Sequence, residues 1–213
     1  MTPKLIWGIP IRLFHWSLVI LLGISLYTGQ FGDFDSIDTH MLSGYGVLAL
    51  LIFRVSFGFI AKGYERFSQF VRGPRAVKAY IKSPQATPGH NPLGAISVIA
   101  LLLALVVQVG TGLFATDDIF VEGPLYHLVS SDTASTLTSI HSINRWIVLG
   151  LIAIHLTAVF VHEFALGHKL ITPMITGTKL LGAEIAAGKH QFQTAFACLL
   201  LGLGLTYLIV NEI

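Results

Sequence analysis

Residues 141–155 read HSINRWIVLGLIAIH, a histidine at each end of a mostly apolar stretch. In a helix, fourteen steps cover about 21 Å and leave the two imidazoles about 40° apart, on one face. One helix therefore carries two coordinating side chains at two depths. Coordinating groups inside an apolar span are costly, and their presence there points to function.

The rest of the chain has the same character. Its 213 residues are 54% hydrophobic and 11% charged, and its mean hydropathy is +0.74. Soluble domains carry roughly a quarter charged residues, so the composition is that of a membrane protein. Five stretches, near 13–29, 41–60, 93–115, 142–165 and 192–211, are long and apolar enough to cross a bilayer core of about 30 Å. IPIRLFHW lengthens the first at the interface. Open sheet edges are not viable in lipid, and closed barrels give a weaker, alternating pattern. The expected fold is an all-α integral membrane helical bundle in a single domain (1–213). It has a four-helix core over about 10–166 and an extra helix over about 192–211.

Charge asymmetry sets the expected orientation. The loop 61–82 carries Lys62, Arg66, Arg72, Arg75, Lys78 and Lys82; segment 166–191 adds Lys169, Lys179 and Lys189, and the N-terminus adds Lys4 and Arg12. The connections near 30–40 and 116–140 hold Asp33, Asp35, Asp38, Asp117, Asp118, Glu122 and Asp132, with no Lys or Arg. Positive loops stay inside. The N-terminus is expected in the cytoplasm and the C-terminus in the periplasm, with the protein in the bacterial inner membrane. The pI near 8.7 reflects this bias and is no sign of nucleic-acid binding. His15 and Trp16 inside the first stretch, with no small-x-small site after it, mark it as an anchor rather than a cleaved leader.

Local signals refine the spans. Asn91-Pro92 reads as an N-cap and first helical proline for the third, and Asp38 or Thr39 is the expected cap of the second. Residues 64–82 mix aromatic and basic side chains and are expected along the cytoplasmic surface. SSDTASTLTS (130–139) reads as a periplasmic loop, and the chain shows no convincing internal repeat. The single Cys198 forms no internal disulfide, and without CxxCH no haem is attached covalently.

Nine histidines are present. His90, His127, His168 and His190 fall in loops or at helix ends, whereas His15, His40, His141 and His155 lie in the first, second and fourth spans. His40 and His141 both sit near the periplasmic end. His15 is fourteen residues below Gly29, so it lies level with His155. Two pairs in two layers suit axial ligation of two haem irons between facing helices, and bis-histidine coordination suits electron transfer. Arg54, fourteen residues after His40, lies on the same face at the lower depth, and Arg145 lies one turn below His141; both suit charge-assisted bonds to haem propionates. Arg12, one turn before His15, suits that role or cytoplasmic anchoring. Gly29, Gly44 and Gly46 leave room for a flat macrocycle or for close helix packing. His162 is a rival lower ligand, but about 31 Å from His141 it lies beyond the apolar core.

WGIPIRLFHW, GHNPLGA, QVGTGLFATDD and the histidine pair of 141–155 together resemble the bacterial cytochrome b561 family, which includes the cytochrome b subunits of nickel–iron hydrogenases. The resemblance covers nearly all of residues 5–180. It implies a four-helix core with two haem b groups, ligated by His15, His40, His141 and His155, exchanging electrons with the quinone pool. Members often carry an acidic residue where Gly8 stands in WGIP. The fifth helix lies outside that core and is expected against a partner subunit.

The expected function is electron transfer across the membrane between quinone and a periplasmic redox protein, a c-type cytochrome or a hydrogenase. The chain itself has no iron–sulfur cysteine cluster, flavin motif or nickel site. One alternative is a quinone-linked oxidase of a small periplasmic species such as superoxide; another is a proton or metal transporter. Homo-oligomerisation stays open. The resemblance also implies a quinone beside a haem near a membrane face. The GHNPLG turn (89–94) is expected at the cytoplasmic face near the lower haem, with His90 and Asn91 as candidates to hydrogen-bond a quinone carbonyl, although a helix cap accounts equally for Asn91.

Overall fold

A computed structural model describes residues 1–33 and 36–211; Asp35, counted among the acidic loop residues, lies outside the described residues. Five helices are long and apolar enough to cross a membrane. These are α1 (Ile9–Phe31), α2 (Ile37–Ile60), α5 (Pro92–Gly112), α6 (Ser131–Phe160, continued by a π-helical turn Val161–Ala165) and α8 (Phe192–Asn211). Leu13, Ile20, Leu103, Ile143 and Leu203 point outward, as lipid-facing side chains do when the surrounding solvent is itself apolar. The chain is an all-α membrane bundle.

α1 pairs with α2, α5 with α6, and α2 also meets α5. Val47, Leu51, Leu102, Leu105 and Val148 form the core between these hairpins. A second core gathers Ile6, Trp7, Phe14, Phe53, Phe57, Ala195 and Cys198 at the end that carries the basic loops. α8 packs along α2 of its own chain, where a Cβ at Gly202 would stand 2.4 Å from the Ala49 carbonyl. The expected partner-subunit contact is thus left to its outward face.

Between α2 and α5 run a 3-10 turn (Gly63–Glu65), α3 (Phe67–Phe70) and the basic α4 (Pro74–Lys82). α4 packs on α5. Asn91 caps α5 as expected, its Oδ1 accepting from Gly94 N–H at 2.7 Å. The expected cap of α2 is corrected. The helix starts at Ile37 after Ser36, which makes no side-chain cap bond, and Asp38 falls in the first turn, where it complements the helix dipole.

The polar run 130–139 is the second correction. It is helical: Ser130 Oγ accepts from Thr133 N–H, and Thr136, Thr138 and Ser139 each donate to the carbonyl four residues back. Such back-bonding satisfies the hydroxyls but favours the helix little in itself; the Ser130 cap contributes more. Thr138 Oγ1 also accepts from Thr116 N–H at 3.0 Å, which ties the extra turns of α6 to the loop after α5.

One element was not foreseen. β1 (Thr2–Leu5) and β2 (Thr178–Leu181) form an antiparallel ribbon. β2 follows α7 (Ile171–Thr176) through Gly177, which adopts the left-handed conformation (φ 86°) that glycine takes without strain. Its carbonyl accepts from Ile6 and Trp7 N–H, fixing the entry to α1.

Candidate haem-binding histidine pairs

The upper pair faces across the bundle. The rings of His40 in α2 and His141 in α6 have centroids 6.2 Å apart at 84°. An imidazole nitrogen sits about 2.0–2.1 Å from a bound metal. Two imidazoles on opposite sides of one iron therefore place their centroids roughly 6–6.5 Å apart, and the pair has that spacing already. His40 Nδ1 is 2.9 Å from Ser25 O, and His141 Nδ1 is 2.8 Å from Gln108 O. A carbonyl accepts only, so both Nδ1 atoms carry the proton and each Nε2 presents the lone pair that ligates a metal; in His141 that lone pair accepts from the Gln108 amide, which a metal would displace. Gln108 Nε2 stands 3.1 Å from His141 Nε2, marking that lone pair's direction. Arg145 lies beside this level, its Nη1 donating to Gly29 O at 3.5 Å; its Nε is buried without a partner.

The lower group lies toward the basic loops. His15 of α1 and His155 of α6 are within electrostatic reach of each other. His90, in the loop before α5, sits between the rings of Trp7 (4.7 Å) and Phe70 (4.4 Å). Burial, then the positive Arg54 and the imidazoles of His155 and His15, push its own imidazole down to about 3. His90 is therefore neutral and close to all three. Arg54 is only 3% exposed, with its guanidinium 4.5 Å over the Phe67 ring. His15 Nδ1, His90 Nδ1 and Arg54 Nη1 are all buried without a hydrogen-bond partner. Groups of this kind are costly to bury unpaired, so the unpaired atoms fit a polar ligand at this level.

A family model described as prokaryotic cytochrome b561 matches residues 6–177. The chain belongs to that family. No curated relative and no solved structure gives a match. As a member, the protein is a membrane b-type cytochrome of electron transfer, and haem b is its implied cofactor. The imidazole spacing, the Nδ1-protonated tautomers and the unpartnered arginine and histidine nitrogens fit that group.

Other side chains that the sequence singled out are placed differently in the cytochrome. His162 Nδ1 lies 3.2 Å from His168 Nδ1 and its ring stacks at 6.4 Å on Tyr80, so it is directed into a loop cluster. Arg12 donates through Nη1 to Ile175 O, while its Nε stays buried and unpartnered. Gly46 packs against Leu21, whereas a Cβ at Gly44 would meet nothing within 4 Å. Gly29 does face the upper pair, as described below.

Sequence reasoning missed Glu65. Its carboxylate, 3% exposed, accepts from Gly8 N–H at 2.8 Å and from Gln191 Nε2 at 2.9 Å. Burial pushes the carboxyl up, against the opposing pull of those two donors and of Arg54. A Cβ at Gly8 would stand 2.8 Å from Glu65 Oε1. Gly8 thus leaves the space that the Glu65 carboxylate occupies. The residues around His40 and His141 that fix their tautomers were missed too, since a backbone carbonyl has no signature in sequence.

Proposed function

We propose that this cytochrome carries electrons across the bacterial inner membrane between the quinone pool and a periplasmic redox protein, a c-type cytochrome or a hydrogenase. It does so with two haem b groups in the four-helix core of residues 10–166, and α8 is an addition to that core. The observation that carries this reading is the spacing of the His40 and His141 rings, which suits two ligands of one haem. Held by these histidines, haem b would supply one-electron chemistry.

The chain's own groups take the remaining roles. His15 and His155 hold the cytoplasmic-side haem, and His40 and His141 the periplasmic-side haem. Arg54 and Arg145 balance propionate charge at the two levels, with Arg12 as a further donor near His15. His90 Nδ1, beside the lower level and unpartnered, orients a quinone carbonyl. Asn91 uses Oδ1 for its cap and keeps Nδ2 as a donor. The basic loops support a cytoplasmic N-terminus and a periplasmic C-terminus.

Rapid mixing of the oxidised, purified cytochrome with a quinol analogue tests this. The reading expects reduction of both haems; no reduction would contradict it. His90→Ala should slow reduction about tenfold, the equivalent of one lost hydrogen bond of about 1.4 kcal/mol, with an unchanged dithionite-reduced spectrum. Reduction at the parent rate would remove His90 from the quinone site.

A further inference from the structure

Two segments of the bundle hold a histidine in the same way. SLYTG (25–29) ends α1, and QVGTG (108–112) ends α5. In the first, Ser25 O lies 2.9 Å from His40 Nδ1 and Thr28 Oγ1 lies 3.4 Å from it. In the second, Gln108 O lies 2.8 Å from His141 Nδ1 and Thr111 Oγ1 lies 3.5 Å from it. Each threonine hydroxyl also donates back along its own helix, Thr28 to Ile24 O at 2.8 Å and Thr111 to Val107 O at 2.7 Å. With its proton spent there, the hydroxyl presents a lone pair to the imidazole, so each Nδ1 faces two acceptors.

The glycines complete the likeness. A Cβ at Gly29 would stand 2.8 Å from His40 Cε1 and 3.0 Å from its Nδ1; a Cβ at Gly112 would stand 2.8 Å and 3.0 Å from the same atoms of His141. Each ring brings its Cε1–Nδ1 side against a glycine, one turn of helix beyond the carbonyl that takes its proton. The likeness escapes a scan for repeats because eleven residues separate Gly29 from His40 and twenty-nine separate Gly112 from His141.

We infer that Ser25, Thr28 and Gly29, and likewise Gln108, Thr111 and Gly112, are twin positioning seats that fix the tautomer and ring plane of the upper ligand pair. The inference rests on His40 and His141 being that pair. The carbonyl and hydroxyl hold the proton on Nδ1 and so leave Nε2 as the ligating atom, and the glycine sets how close the ring lies to the helix. Outer groups that orient an imidazole ligand are commonly worth 10–100-fold in metal affinity. Asn144 braces the second seat, donating from Nδ2 to Gln108 Oε1 at 2.8 Å and to Ala104 O at 2.9 Å.

Alanine substitutions in the full-length cytochrome, read by haem content, spin state and redox titration, separate seat from helix. Gly29→Ala and Gly112→Ala should each weaken retention of the upper haem about tenfold or more, or turn it high-spin, and keep the lower haem. Gly23→Ala in α1 and Gly110→Ala in α5, where a Cβ meets nothing within 4 Å, should match the parent. Parent spectra and potentials in both Gly29→Ala and Gly112→Ala would overturn the inference. If either variant fails to accumulate, Thr28→Val and Thr111→Val decide. Loss of an acceptor makes the ligand less electron-donating, so the upper midpoint should rise in both; an unmoved midpoint in both overturns the inference. The underlying ligand assignment fails separately, if His40→Ala keeps two low-spin haems.

Discussion

His15→Ala and His155→Ala are expected to lose the same haem, or convert it to high spin, and to leave the other nearly untouched. His40→Ala and His141→Ala should do the same to the second haem. The depth of each histidine along its helix gives this pairing, with about 21 Å of helix between the two levels of α6. The upper pair meets directly, at 6.2 Å between rings. At the lower level, His15, His155 and His90 lie within electrostatic reach of one another. Haem content and redox titration of the four variants check the result. If His15→Ala and His40→Ala abolished the same haem, depth would not set the partners. Parent haem content in His155→Ala, with loss in His162→Ala, would move the lower ligand to the loop cluster that His162 shares with His168 and Tyr80.

Arg54→Leu should lower the midpoint potential of the His15/His155 haem more than that of the other. A buried cation stabilises the reduced iron relative to the oxidised one, so removing it favours oxidation. At an effective dielectric of about 20 and a separation near 10 Å, the interaction is about 1–2 kcal/mol. For a one-electron couple that is roughly 40–90 mV. Arg54→Lys should recover part of the shift, since the charge returns without the flat guanidinium that lies over Phe67. A potentiometric titration showing equal shifts at both haems, or none, would detach Arg54 from the lower site.

These effects concern residues that were legible in the sequence because the bundle obeys simple periodicity. His40, His141 and Arg54 stand where 1.5 Å per residue places them, and Asn91 caps α5 as its proline neighbour announces. What was not legible depends on contacts between distant segments. Glu65 looks like an ordinary charge in a basic loop until the fold brings Gly8 and Gln191 to its oxygens. The ribbon of Thr2–Leu5 with Thr178–Leu181 joins the two ends of the region that the family matches, and four-residue strands carry little pattern of their own. Residues 130–139 misled for a local reason. Serine and threonine favour loops on average, yet here the Ser130 cap and the tie from Thr138 to the loop after α5 keep the run helical. The seats under His40 and His141 rest on backbone oxygens, for which any residue would serve, so only the threonine–glycine steps leave a trace in the sequence.

The central claim is that one chain holds two haems, each between two histidines. A pyridine haemochrome assay on the purified protein, referred to its protein concentration, measures this most directly. Two haem b per chain, low-spin when reduced, is the expected result. One haem per chain, or none, would contradict the two-layer account.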